Sequence, residues 1–385
     1  MQERRIEEVL VALERWGAAR DWVGPDPYEG LNSPLGRIAR GRRQRQAVTQ
    51  AYKRLPISPP WPLRAPPAPN SMALAFALSA YSTPAGRELG DAERFLASLP
   101  AELRRLNLLS GGAAWGYHFD VQTRGIFYPA TEPNAIATTF VAGALLDAHA
   151  AGGEPELAEL ALRSRPFLLS LRADSAEHSP YFAYVPAGSD LVHNANLLVC
   201  ATLARLDALE PDVEAEAMAR EAAGATLRRQ RDDGLWAYGE RGDYGWVDNF
   251  HTVYVLEALA RIDERWGIGR DELRLGVDAW RSAFLDEDGW ARYYPERRHP
   301  LEPQCCAAAI ELLCDRAAGP GRADHVELAR RIAATAIREL WLPGESRFAF
   351  QRTARGLNRR DYMRWTNAPM FRALTRLRSV GAQSS

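Results

Sequence analysis

Lysine is almost absent from this chain. Of 48 basic side chains only Lys53 is a lysine, and every other one is arginine. Schiff-base chemistry would therefore have to fall on Lys53, and the segment around it reads as a basic surface. Cysteine is scarce as well: Cys200, Cys305, Cys306 and Cys314 form no Cys-x-x-Cys pair, and adjacent Cys305 and Cys306 are poorly placed to bridge. Four reduced, mostly core thiols fit a cytoplasmic compartment. An excess of one charge is missing too, since the net charge is −1; no bulk field favours nucleic acid or membrane. No run of 18 apolar residues occurs and the first residues, Met1 to Arg5, lack an apolar signal region, so neither membrane insertion nor export is expected. Walker A, dinucleotide-binding and nucleophile-elbow motifs are lacking. His251, Asp248 and His193 do not assemble a clear set of metal ligands. Neither metal nor cofactor is expected, and composition does not define an oligomeric state.

What the chain does have is a rhythm. Trp115, Phe182, Trp236, Trp290 and Phe348 mark short aromatic turns spaced 54 to 67 residues apart. Before each marker runs an apolar-periodic segment, at about 91–109, 156–172, 213–230, 271–285 and 324–342. After each comes another, at about 134–151, 192–209, 248–265, 302–317 and 361–378. Ala, Leu and Arg at helical spacing make all of them helices. One repeat is then a helical hairpin joined through an aromatic turn. Five are visible, and the N-terminal helices with the loop Asp26–Ser33 supply a sixth. Residues 56–69 carry seven prolines and form a rigid extended connector rather than a domain boundary, so 1–385 is expected to be one domain.

A hairpin cannot bury both faces alone, so hairpins stack. Six of them can close into an all-α (α/α)6 toroid with inner helices around a cleft. An open solenoid is the competing arrangement. Closure is favoured because polar clusters recur at equivalent places, where the turns meet the second helices. The clusters hold Tyr117, Asp120 and Arg124; Glu132 and Asn134; His193, Asn194 and Asn196; Trp246, Asp248, Asn249, His251 and Tyr254; Tyr293; and Arg364 and Trp365. Some have simpler readings: Asn134 and Asp248 as helix N-caps, Trp115 as a core wedge, His193 or His251 as structural histidines. Capping, however, needs one residue, not His-Asn-x-Asn or Asp-Asn-x-His.

Asn, His, Tyr and Arg around an acidic sugar suit removal of a proton beside a carboxylate. In that reading His251 or Tyr254 is the base or acid, with His193 and Asp248 as further candidates. Asn194 and Asn249 hold the carboxylate, and Arg124 and Arg364 bind the anion. Trp115 and Trp246 face the sugar ring, and Tyr117, Asn134, Asn196, Tyr293 and Trp365 complete the saccharide site. The outcome is β-elimination or epimerisation. Inverting glycoside hydrolysis is the second enzymatic reading, with Asp120 or Glu132 working against Asp248. A non-catalytic glycan-binding or scaffold protein is the third.

Several stretches carry a resemblance: Trp115-Gly116-Tyr117-His118-Phe119-Asp120-Val121-Gln122-Thr123-Arg124, Thr131-Glu132-Pro133-Asn134, Val192-His193-Asn194-Ala195-Asn196, Trp246-Val247-Asp248-Asn249-Phe250-His251-Thr252 and Tyr362-Met363-Arg364-Trp365. Together with Asp26–Ser33 they are similar to the VpsJ-like polysaccharide biosynthesis proteins of bacterial surface-glycan gene clusters. The resemblance implies a six-hairpin toroid and a role in making or tailoring a surface glycan. Similar chains are sometimes called δ-aminolevulinic acid dehydratase, an activity that needs a β/α barrel with catalytic lysines and does not suit a helical chain with Lys53 alone.

Overall fold

Asn70, Asn134 and Asp248 each start a long apolar helix by accepting a backbone N–H from the first turn, which satisfies donors the helix cannot reach itself. The computed structural model describes residues 2–122, 127–174, 179–319 and 321–382. Among them six helices form an inner ring: Ser71–Ser82, Ala135–Ala150, His193–Asp207, Asn249–Trp266, Pro303–Arg316 and Ala368–Ala382. Each packs on the next, and the sixth packs back on the first. The ring is closed, as the matched polar clusters predict, and the solenoid is excluded. The fold is the six-hairpin (α/α)6 toroid.

The two layers differ because their surroundings differ. Every residue of Ser71–Ser82 is buried, as suits a helix enclosed by neighbours on all sides. The outer helices instead bury one stripe. In Ala92–Arg105 it is Phe95, Leu99 and Leu103, and in Arg270–Phe284 it is Leu273, Gly276, Trp280 and Phe284. Their Arg and Glu residues face water. Full burial of each large apolar side chain contributes about 1.5–3 kcal/mol, so these stripes hold the outer layer on. The remaining outer helices are Gln2–Ala18, Pro155–Leu162 continued by Arg165–Ser170, Val213–Leu227 and Arg322–Leu340. Gln2–Ala18 packs on the last inner helix, and Trp22 just beyond it stacks on Phe371 at 4.5 Å.

The links that lead from each outer helix into the next inner helix lie at the N-terminal end of the inner ring. Several aromatic turns prove to be small antiparallel ladders, which helical periodicity alone does not reveal: Val121–Gln122 with Phe127–Tyr128, Arg172–Ala173 with Tyr181–Phe182, and Trp341–Leu342 with Arg347–Phe348. The Asp233-Gly234 and Asp288-Gly289 turns place their glycines at φ of 80° and 81°, where a side chain would be strained. The first link is the longest. It holds the short turn Glu29–Asn32, the helices Pro34–Ile38 and Arg42–Arg54, and the proline-rich 56–69. Among the described residues no helix is long and apolar enough to cross a membrane.

Candidate active site

The mouth of the inner ring encloses a cavity of about 430 Å³. Its walls are mainly aromatic, and they come from all around the ring. Trp246, Asp248, Phe250 and His251 enter from the start of the fourth inner helix. Tyr117, Tyr128, Tyr184, Tyr238 and Tyr293 enter from the links, and Arg364 and Trp365 from the approach to the sixth inner helix. That approach is a π-helical turn, Met363–Asn367. Such turns are rare and concentrate at functional sites.

The fourth inner helix supplies the cavity's histidine and the carboxylate bonded to it. Asp248 is its N-cap: Oδ1 accepts the His251 N–H at 3.1 Å. The same carboxylate's Oδ2 accepts from His251 Nδ1 at 2.7 Å and from Trp246 Nε1 at 3.1 Å. One aspartate thus starts the helix, fixes the imidazole and anchors the indole. With Nδ1 donating to Asp248, the neutral imidazole carries its lone pair on Nε2. Among the described residues Nε2 has no protein partner, and the His251 side chain keeps 24% of its exposure, facing the cavity. Phe250 and Tyr238 flank the ring, with centroids 4.0 and 4.7 Å away. Trp246 lies flat on Tyr238 at 4.5 Å, which leaves an aromatic wall beside the free nitrogen.

The tyrosines are donors, not bases. Tyr117 and Tyr184 share a hydrogen bond of 2.8 Å between hydroxyls. Burial pushes both phenols well above the ordinary tyrosine value, and Tyr184 raises Tyr117 further. Burial also raises Tyr128, Tyr238 and Tyr293. All five stay protonated at neutral pH and present O–H groups to a polar ligand.

Two cations enter. Arg364 is held by Asp26 in a buried two-pronged pair, Nε to Oδ2 at 2.5 Å and Nη2 to Oδ1 at 2.9 Å. Its plane lies near the Tyr117 and Trp365 rings. It therefore shapes the wall, and its charge is already matched. Lys53 is the other cation, and it corrects the sequence expectation of a surface residue. Its Nζ donates to Tyr28 Oη at 3.2 Å and sits over the Trp365 ring at 5.2 Å. Burial pulls the ammonium down, but Tyr28 and Glu302 outweigh it and hold the group above the ordinary lysine value. Glu302 is buried behind the wall, where its Oε2 accepts from Trp365 Nε1 at 3.0 Å. Burial raises that carboxyl, against the opposing pull of Lys53 and Trp365.

Of the residues expected in the site, His251, Asp248, Trp246, Tyr117, Tyr293, Arg364 and Trp365 line this cavity together. Others do not. Tyr254 is one turn deeper, its hydroxyl accepting from Gln304 Nε2 at 2.5 Å between Phe140 and Phe250. Burial raises its phenol far above the ordinary value, so it is not a base. His193 is enclosed, with Nδ1 on Thr226 Oγ1 and Nε2 on Glu240 Oε1. Asn196 joins Phe182, Ala222 and Thr226, and Asn249 joins Arg292 and Trp280. Both are hairpin fasteners rather than ligand contacts. Asn134 is a cap on Ala137 N–H, and Trp115 is a wedge whose Nε1 donates to Leu103 O. Asp120 accepts from Ala130 N–H, and neither it nor Glu132 lines the cavity. Asn194 borders a small pocket shared with Asp248 and His251, and its Oδ1 is buried without a partner. Arg124 lies outside the described residues.

Tyr28, Lys53, Tyr128, Tyr184, Tyr238 and Asp190 are cavity residues that sequence reasoning missed. Tyr184 and Tyr238 belong to the repeated aromatic turns, and Lys53 is the single lysine. Those were the available signals.

Comparison with solved structures places the fold in known company. The chain is similar to a family 76 α-mannanase from Bacteroides thetaiotaomicron, with TM-score 0.61, 12% identity and coverage of 82% of this chain and 87% of that one. It is similar to cellobiose 2-epimerase from Bacillus thermoamylovorans, with TM-score 0.60, 11% identity and coverage of 81% and 88%. It is also similar to an unsaturated glucuronyl hydrolase specific for heparin, with TM-score 0.60, 10% identity and coverage of 100% and 97%. At these identities the likeness is one of fold. No family model matches the chain, and no curated protein does.

Proposed function

We propose that this protein is a carbohydrate-active enzyme that moves a proton at a carbon of an acidic saccharide, by elimination or epimerisation. The observation that carries this reading is His251: one ring nitrogen is fixed by Asp248, and the other is open to an aromatic cavity. A neutral imidazole so oriented is a general base. The imidazolium formed on proton uptake is stabilised by the same Asp248 carboxylate and can return the proton. Trp246 and Tyr238 offer ring faces to the apolar side of a sugar. Lys53 and the protonated tyrosines supply donors for a substrate carboxylate and for the negative charge that develops on it.

Paired-carboxylate hydrolysis is less well supported. Asp248 accepts three hydrogen bonds, Asp190 lies 3.4 Å from Arg241, and Asp120 and Glu132 are outside the cavity. The activities of the fold neighbours, on mannan, cellobiose and a glucuronyl substrate, fit a saccharide ligand. The motif resemblance to VpsJ-like chains supports a setting in surface-polysaccharide biosynthesis.

The test is incubation with a panel of uronate-containing oligosaccharides in deuterated buffer, followed by mass spectrometry and ultraviolet absorbance. Elimination gives an unsaturated, absorbing product. Epimerisation gives an uncleaved saccharide carrying deuterium. Saturated cleavage products would replace this reading with hydrolysis, and binding without either change would replace it with a glycan-binding role.

A further inference from the structure

The whole-chain charge of −1 hides a strong local asymmetry. Residues 30–69 contain eight basic side chains and no Asp or Glu. Six of the arginines, Arg37, Arg40, Arg42, Arg43, Arg54 and Arg64, are exposed. Among the described residues none of the six makes an ion pair, whereas arginines elsewhere in the chain commonly do. In the helix Arg42–Arg54 the buried side is Val48, Thr49 and Tyr52, so the arginines are left facing outward.

The same segment exposes large apolar side chains: Ile38 at 70%, Ile57 at 64% and Trp61 at 78%. They are held in a built surface. Leu35 N–H donates to Pro62 O at 3.1 Å, which draws the Ile38 and Trp61 stretches together. Arg360 Nη1 donates to Tyr52 O and Ile57 O at 3.4 and 3.3 Å, fastening the connector to the body.

We infer that this face docks on an anionic lipid membrane surface without inserting a helix. Unpaired arginines alone would serve RNA or an acidic polymer equally well, because all three are polyanions. Exposed Trp61, Ile38 and Ile57 beside them decide for lipid. An indole favours the headgroup boundary and aliphatic side chains gain by entering the acyl region, whereas a soluble polyanion offers them nothing. Helix Arg42–Arg54 also contributes Gln50 and Lys53 to the cavity wall. Docking therefore holds the site within about one helix length, ~20 Å, of the lipid surface. The inference does not rest on the chemistry assigned to His251.

Co-sedimentation of the full chain with vesicles is the test, using phosphatidylcholine alone and phosphatidylcholine mixed with phosphatidylglycerol. Binding is expected on the anionic vesicles, weaker with added salt and slight on the neutral ones. The Arg42→Glu/Arg43→Glu variant should lose at least 10-fold in partitioning, since each basic residue at such a surface counts for about 5-fold. Trp61→Ala should weaken vesicle binding while leaving retention on a heparin column unchanged. All variants alter exposed side chains, and an unchanged thermal midpoint confirms that they fold. Equal partitioning of wild type onto both vesicle types, vesicle binding unaffected by these substitutions, or tight binding to a soluble polyanion with none to vesicles would overturn the inference.

Discussion

His251 Nδ1 lies 2.7 Å from Asp248 Oδ2, and Asp248 Oδ1 caps the helix that carries His251. The stability of the helix start and the orientation of the imidazole therefore depend on one carboxylate, and substitutions can separate the two roles. Asp248→Asn keeps an acceptor for the cap but removes the charge that selects the tautomer. Activity should fall by about 10²–10⁴-fold with little change in the unfolding midpoint. Asp248→Ala should lose the same activity and also about 0.5–2 kcal/mol of stability. Steady-state rates set beside urea unfolding of both variants check this.

Among the described residues, Lys53 is the cavity cation whose charge is not consumed by a two-pronged carboxylate pair. Lys53→Met should raise KM for an acidic saccharide by about 10- to 100-fold, the weight of a charge-assisted hydrogen bond. It should change kinetics with a neutral analogue much less. The substitution also removes the Lys53 charge that opposes the burial of Glu302, so some loss of stability should accompany it.

Asn196 and Asn249 give the contrasting case. Each ties a hairpin together through buried groups. Replacement by Ala orphans those groups at about 1–3 kcal/mol each. The protein that remains folded should turn over normally, which active-site titration beside chemical denaturation would establish.

The opposite end of the ring holds a second cavity, of about 380 Å³, lined by Asp147, Arg205, Glu257, Arg261, Arg372 and Arg376 among others. Burial and then the Glu311 charge push the Glu257 carboxyl from 4.5 up to about 7, against Arg372, Arg376 and Arg261. Between those values the folded protein holds a proton that the unfolded chain has released. The contribution from Glu257 is therefore largest below the unfolded value and declines as pH rises through the folded one. Glu257→Gln should flatten the fall in unfolding free energy between roughly pH 5 and pH 7, an effect of the order of 1 kcal/mol. Urea melts of both proteins across that range measure it.

The toroid was legible because apolar runs recur at helical spacing and each begins with polar residues. The pair Asp248–His251 was legible as well, since an N-cap and the third residue after it meet in space. Tyr254 misled for a geometric reason: three residues on, it shares a face with His251 but lies about 4.5 Å further along the axis, beneath Phe250 and beside Gln304. Asn249, Asn196 and His193 misled because a polar residue at a helix start can face the cleft or the neighbouring hairpin, and spacing does not separate the two. Lys53 reaches the cavity only because the long first link folds back over the mouth, a tertiary contact with no local signature.

In the proposed reaction His251 Nε2 moves the proton. The most direct measurement is the rate of solvent-deuterium incorporation into a bound uronate saccharide by wild type and by His251→Ala, with saccharide affinity measured in parallel. Exchange by the wild type is expected, with a loss of at least about 10²-fold in the variant and affinity within a few-fold. Exchange by His251→Ala at the wild-type rate would contradict that role for His251.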